Sequence, residues 1–202
     1  MTTSRSTRLM AAVAGAGLIA LALSGCGTPP WEQAQLQSSA SSTPTSTPTI
    51  EPLVNELATG STERKLVAGD AALTVRYWSS LSMDQWTVNA NKPISFGLSA
   101  TLGTDAGQGV YLSKVTLVPA VAGESGALAA PGAVSDQANV SPGYSIKDPY
   151  SYSQTFILPA VDPAATSMTL SFTYELLIQT TPTSTEYSKQ TASDTLTIAI
   201  AP

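Results

Sequence analysis

The fold class predicted by the sequence is all-β, an antiparallel sandwich of two sheets built from about seven strands. Three observations predict it. Apolar and polar residues alternate with period two through several long runs, turn residues separate those runs, and no sustained window after residue 67 carries the 3.6-residue period of a helix. In chain order, Leu73, Val75 and Tyr77 mark one face of a strand near 71–78, and a weaker run follows at 85–89. Ile94, Phe96, Leu98, Ala100 and Leu102 then alternate with Ser95, Gly97, Ser99 and Thr101. Such alternation is the mark of a strand with one face in a core and one in water. Further runs lie at 110–118 and 152–158. Met168, Leu170, Phe172, Tyr174, Leu176 and Ile178 form the longest, and Leu196, Ile198 and Ile200 the last. The segment from Thr104 to Gly109 reads as a Gly-rich hairpin turn, Asp162-Pro163 opens a second turn, and Pro182 marks a third within 180–185. Trp78 and Trp86 flank a turn at 79–84 and are expected to cap one end of the core. Residues 119–143 are rich in Ala, Gly and Pro without sustained alternation, and are expected to form a disordered or loosely packed loop, or a contact loop.

Many short strands with polar outer faces suit a sandwich domain over 67–202. The pattern resembles an immunoglobulin-like fold, without the Cys…Trp…Cys spacing of true immunoglobulin domains. Before it lies a different kind of chain. Nine of the twelve residues in 38–49 are Ser or Thr and two are Pro, so this stretch has too little apolar surface to offset its ordering entropy. Residues 26–66 therefore read as a disordered Ser/Thr/Pro tether, of a composition also found in O-glycosylated stalks. Inside it, Ile50, Leu53, Val54 and Leu57 have the spacing of one helix face, which predicts a two-turn helix over about 51–58.

The first 25 residues read as a signal peptide. Arg5 and Arg8 precede an apolar run over 9–23, too short for the roughly twenty residues of a membrane-spanning helix. The run ends in Leu23-Ser24-Gly25-Cys26. This tetrapeptide resembles the lipobox of bacterial lipoproteins, and the Ala/Gly-rich style and Thr-Pro tract are similar to actinobacterial cell-envelope lipoproteins. The resemblance implies cleavage before Cys26 and a diacylglycerol thioether on its sulfur. It also implies anchoring to the outer, extracytoplasmic face of the cell membrane. Trp31, five residues further on, suits the headgroup level of a bilayer.

Composition excludes several activities. The 202 residues contain no histidine and one cysteine, which leaves no Ser-His-Asp or Cys-His dyad, no HExxH zinc site and no disulfide. Nine Lys+Arg against fourteen Asp+Glu, with no basic block, exclude a nucleic-acid binder, because phosphate contacts need clustered cations. No Ser-x-x-Lys motif, calcium loop or metal-ligand spacing is present, and no cofactor is expected. The remaining acids, such as Asp84, Asp148 and Glu175, are scattered singly. Tyr144, Tyr150 and Tyr152 lie close together around Asp148 and are the candidate binding residues, since an apolar sugar face stacks on an aromatic ring. The expected function is a non-catalytic, membrane-tethered module that binds a protein or a cell-wall polymer. The alternative is a carboxylate-based hydrolase of envelope polysaccharide.

Overall fold

A computed structural model describes residues 54–202. The signal peptide, Cys26, Trp31 and most of the tether lie outside the described residues. Among the described residues ten strands run β1 (Ser61–Ala68), β2 (Ala71–Trp78), β3 (Lys92–Leu102), β4 (Val110–Gly123), β5 (Gly126–Leu128), β6 (Val134–Gln137), β7 (Tyr144–Ser145), β8 (Tyr152–Leu158), β9 (Ala165–Gln179) and β10 (Tyr187–Ala199). They form an all-β sandwich. One sheet has the order β1-β2-β3-β8; the other has β10-β9-β4, with β5, β6 and β7 each paired to the free side of β4. All pairings between these strands are antiparallel. Reading β2, β3, β4, β8, β9 and β10 as strands A, B, C, E, F and G gives the A-B-E and C-F-G sheets of the immunoglobulin plan. The departures are β1, added outside strand A, and β5–β7, which stand beside strand C.

The alternating residues of the sequence form the core. Leu73, Val75 and Tyr77 of β2, Ile94, Phe96 and Leu98 of β3, and Met168 to Leu176 at every second position of β9 are all buried. Leu112 and Val115 of β4 are also buried although they lie three positions apart, an odd spacing for one strand face. A register shift against β9 between Leu112 and Lys114 absorbs the extra residue, and the Ser113 hydroxyl donates to the Glu175 carbonyl at 2.9 Å. A cluster of three polar side chains lies against this core. The Tyr174 hydroxyl donates to the Tyr77 hydroxyl at 3.0 Å, and the half-buried Asp194 carboxylate lies near both.

Five expectations change. The 85–89 strand is a short 3₁₀ turn (Met83–Gln85) followed by a single bridge from Thr87 to Ala201. Trp86 is buried and donates from its indole nitrogen to Ser79 Oγ at 3.0 Å, plugging one end of the core, whereas Trp78 lies on the outer face of the first sheet. The Gly-rich 104–109 segment joins β3 to β4, so it carries the chain between sheets rather than closing a hairpin. About half of the 119–143 segment is strand, 12 of its 25 residues. The end of β4, β5 and β6 occupy much of the segment, and the gap between β5 and β6 falls opposite Pro119, which has no N–H to give to a ladder. These short pieces cover an edge that a bare β4 would expose.

The fifth change concerns the domain start. β1 begins at Ser61, six residues before the expected boundary at 67, and Leu57 is fully buried in the core. The described part of the expected 51–58 helix is a turn, closed by Ala58 N–H to Asn55 and Gly60 N–H to Leu57. Leu57 contacts the core from that turn, so its spacing reflected one anchoring residue and not a helix face. The preceding Glu56 pairs its backbone with Thr197 of β10 at 3.0 Å, and its carboxylate takes Arg64 of β1 and the Thr197 N–H. This clasp joins the two sheets along their β1/β10 side.

Candidate functional site

The structure brings two of the three candidate tyrosines together. Tyr144 on β7 and Tyr152 at the start of β8 belong to different sheets, and their rings stack with centroids 4.5 Å apart and planes 5° from parallel. The Tyr152 hydroxyl donates to Asp136 of β6, and Tyr144 to Asn139 Oδ1 at 3.5 Å. Burial, and then the Asp136 carboxylate, push the Tyr152 phenol well above its ordinary value. Each ring thus presents a face to the other, and the pair bridges the sandwich on the side opposite the Glu56 clasp. Tyr150 stands apart in the turn before β8, 64% exposed. Asp148 also serves the fold here, donating its backbone N–H to Ala100 at 2.9 Å.

A site not anticipated from the sequence lies on the outer face of the first sheet. With Leu73, Val75 and Tyr77 facing inward, Thr74, Arg76 and Trp78 must face outward on β2. The register sets Arg76 opposite Gly97 and Thr74 opposite Ser99 on β3, and Gly97 opposite Ser153 on β8. Gly97 has no side chain, so the sheet surface dips there. The Trp78 indole leans diagonally towards this dip: a Cβ added to Gly97 would lie 3.4 Å from its ring and 3.3 Å from Ser153 Oγ. The result is a groove of about 420 Å³ lined by Trp78, Arg76, Thr74, Ser99 and Ser151. Arg76 donates to Ser61 Oγ at 3.3 Å and makes no ion pair with a carboxylate among the described residues. Glu63 is its cross-strand neighbour in register but lies outside ion-pair distance. The alternation that identified β2 already placed a tryptophan on its outer face, which was the signal for this site.

Two other concavities are less suited to recognition. One, at the Trp86 end, is lined by Val88, Leu128, Pro163, Ile200 and Pro202 together with Glu124, Ser125, Thr166 and small residues of the turns. The other, at the opposite end, contains Asp70, Gln108, Gln179 and Gln190, whose side chains are largely engaged in holding loops. Asp70 accepts from Thr104 N–H at 2.7 Å, Gln108 from Ala106 N–H at 2.8 Å and Gln179 from Gly109 N–H at 3.1 Å. The scattered acids sit on separate elements. Asp84 is in the 3₁₀ turn, where Gln85 and then Ser82 hold its carboxyl below the usual range. Glu175 is on the outer face of β9, engaged by Lys189. Among the described residues, no three His, Cys, Asp or Glu side chains gather as a metal-binding group, and no helix is long and apolar enough to cross a membrane. No known protein family and no curated protein matches the chain.

Proposed function

We propose that the protein is a lipid-anchored extracytoplasmic lipoprotein whose sandwich is a non-catalytic module binding a protein or an envelope polymer. The observation that carries this reading is the outer-face groove, lined by Trp78, Arg76, Thr74, Ser99 and Ser151 about the dip at Gly97. Convergent polar groups beside one aromatic wall are what recognition of a ligand requires. The Leu23-Ser24-Gly25-Cys26 lipobox supports the location. A membrane-tethered surface suits a large, immobile partner, because the tether supplies the high local concentration that a weak site needs.

The test is crosslinking and recovery of the full-length protein from intact cells, with Trp78→Ala and Tyr150→Ala as separate comparisons. Recovery of a partner by the parent and its loss in Trp78→Ala supports the module. Loss in Tyr150→Ala alone would move the site to the exposed tyrosine. Turnover of cell-wall polysaccharide by the full-length protein, abolished by changing Asp84, Asp148 or Glu175, would replace the module with the hydrolase.

A further inference from the structure

Resting on the binding-module reading, we propose that the groove on β2 and β3 holds an acidic sugar: a pyranose ring bearing a carboxylate, within an envelope polysaccharide. The chemistry of the lining selects it. Trp78 supplies an aromatic surface for the apolar C–H face of a sugar ring. Thr74, Ser99 and Ser151 supply short hydroxyls that exchange hydrogen bonds with sugar hydroxyls. Arg76 is the one cation among the lining residues, and only one of its five N–H donors is taken, by Ser61. A guanidinium fork matches a carboxylate with two parallel hydrogen bonds, which a neutral sugar cannot provide.

Scale and surroundings agree. The groove, at about 420 Å³, falls within the range of roughly 300–1,000 Å³ typical of small-molecule sites. A protein partner would call for a core of large apolar and aromatic residues. The lining offers one aromatic ring, one leucine and otherwise small or polar residues. The chain carries net charge −5, so attraction of an anionic polymer is confined to the neighbourhood of Arg76. The resulting affinity is modest per site and salt-dependent.

Gly97 makes the proposal separable from folding. Its backbone does not occupy the left-handed region, so a β-branched residue suits this strand position, while its side chain would fill the dip between Trp78 and Ser153. The experiment is titration of the full chain in detergent micelles with oligogalacturonate, which carries a carboxylate on every ring, and with a malto-oligosaccharide of the same length, which carries none. Binding is read by calorimetry and by tryptophan fluorescence. Oligogalacturonate is expected to bind and to weaken as salt rises. Arg76→Gln should weaken it about fivefold and remove most of the salt dependence. Trp78→Ala should weaken it about tenfold. Gly97→Val should abolish it while the far-ultraviolet strand spectrum and a cooperative melt are retained.

Equal binding of the neutral oligosaccharide, unaffected by Arg76→Gln, would overturn the acidic-sugar assignment. So would binding of oligogalacturonate that Gly97→Val leaves intact, since the sugar would then sit elsewhere. If neither sugar binds but a protein is recovered from intact cells in a Trp78-dependent way, the sugar is overturned and the module survives. If neither sugar binds and nothing is recovered from cells, both readings fall.

Discussion

Tyr77 and Tyr174 are the residues most altered by their surroundings. Burial pushes both phenols far above the ordinary value of about 10, and the nearby Asp194 carboxylate adds to the shift in each. A group whose pKa is higher in the folded than in the unfolded state holds its full stabilising contribution below the unfolded pKa. That contribution is lost as pH rises above it, because only the unfolded chain then releases the proton. Stability should therefore fall above about pH 10, by roughly 1.4 kcal/mol per pH unit for each of these tyrosines. Lys92 works in the opposite sense. It is buried with its ammonium on the carbonyls of Ala90 (2.8 Å) and Val88 (3.4 Å), and burial lowers its pKa. Its cost is present at neutral pH and relieved as pH approaches the ordinary lysine value. The expected outcome of an alkaline titration is that Tyr77 and Tyr174 ionise together with unfolding. Phenolate absorbance and circular dichroism followed in parallel check this, with Tyr77→Phe and Tyr174→Phe each reducing the absorbance step that accompanies unfolding. Phenolate appearing from these two positions while the strand spectrum is intact would contradict their burial.

At the level of elements, the two open sides of the sandwich are closed by different chemistry: the Glu56–Arg64 clasp on one and the Tyr144–Tyr152 stack on the other. If the stack is a brace between sheets, Tyr144→Ala and Tyr152→Ala should each destabilise, and their double-mutant cycle should return a coupling of about 1 kcal/mol. Additivity of the two losses in urea unfolding would show that the rings do not support one another. The domain start is testable in the same way. A chain beginning at residue 67 lacks most of β1, the clasp and Leu57, whose burial alone contributes about 1.5–3 kcal/mol. It should melt well below one beginning at residue 54 or fail to fold. The reason β1 was not legible in the sequence lies in its inward positions, Thr62, Arg64, Leu66 and Ala68. Arginine at a core-facing site breaks the alternation, and the glutamate that satisfies it is eight residues away. β5, β6 and β7 were hidden for another reason. Segments of two to four residues have no period of their own, and their conformation is dictated by the β4 edge they cover. The long strands β3 and β9 were legible because each has one face in the core over many residues, whereas of β10 only the end with Leu196 and Ile198 was, since its first five residues bury no apolar side chain. The groove was not read from the sequence: Trp78 was assigned to the core end although the parity of β2 points it outward, and the dip at Gly97 and the cation beside it depend on the β2–β3 register, which one strand's pattern does not contain.

For the whole molecule, charge and anchor bear on the same question of what holds it at the membrane. Cleavage before Cys26, as proposed, removes Arg5 and Arg8, so nine basic residues become seven against fourteen acids, and the net charge falls from −5 to −7. A chain of that charge is repelled by anionic lipid headgroups, and no basic patch offsets the repulsion, since surface adhesion draws on clustered Lys and Arg. On the proposed reading, membrane association rests on the acyl chains. A single chain binds only marginally, whereas two give stable anchoring, and the lipobox resemblance implies a diacylglyceryl group. The 27 residues between Cys26 and Val54, fully extended, limit the reach of the sandwich from that anchor to about 95 Å. An envelope polymer must come within this distance to be bound. The expectations separate lipid from charge. High salt should leave the parent in the membrane fraction, whereas Cys26→Ala should release the protein or leave it unprocessed with its signal peptide attached. The substituted protein should still take up oligogalacturonate in solution, because the groove is on β2 and β3. Fractionation of cells expressing each form, with the mass of the N-terminal peptide measured, checks all three. Release of the parent by salt would place the attachment in surface charge, and retention of a processed Cys26→Ala protein would remove the lipid anchor from the account.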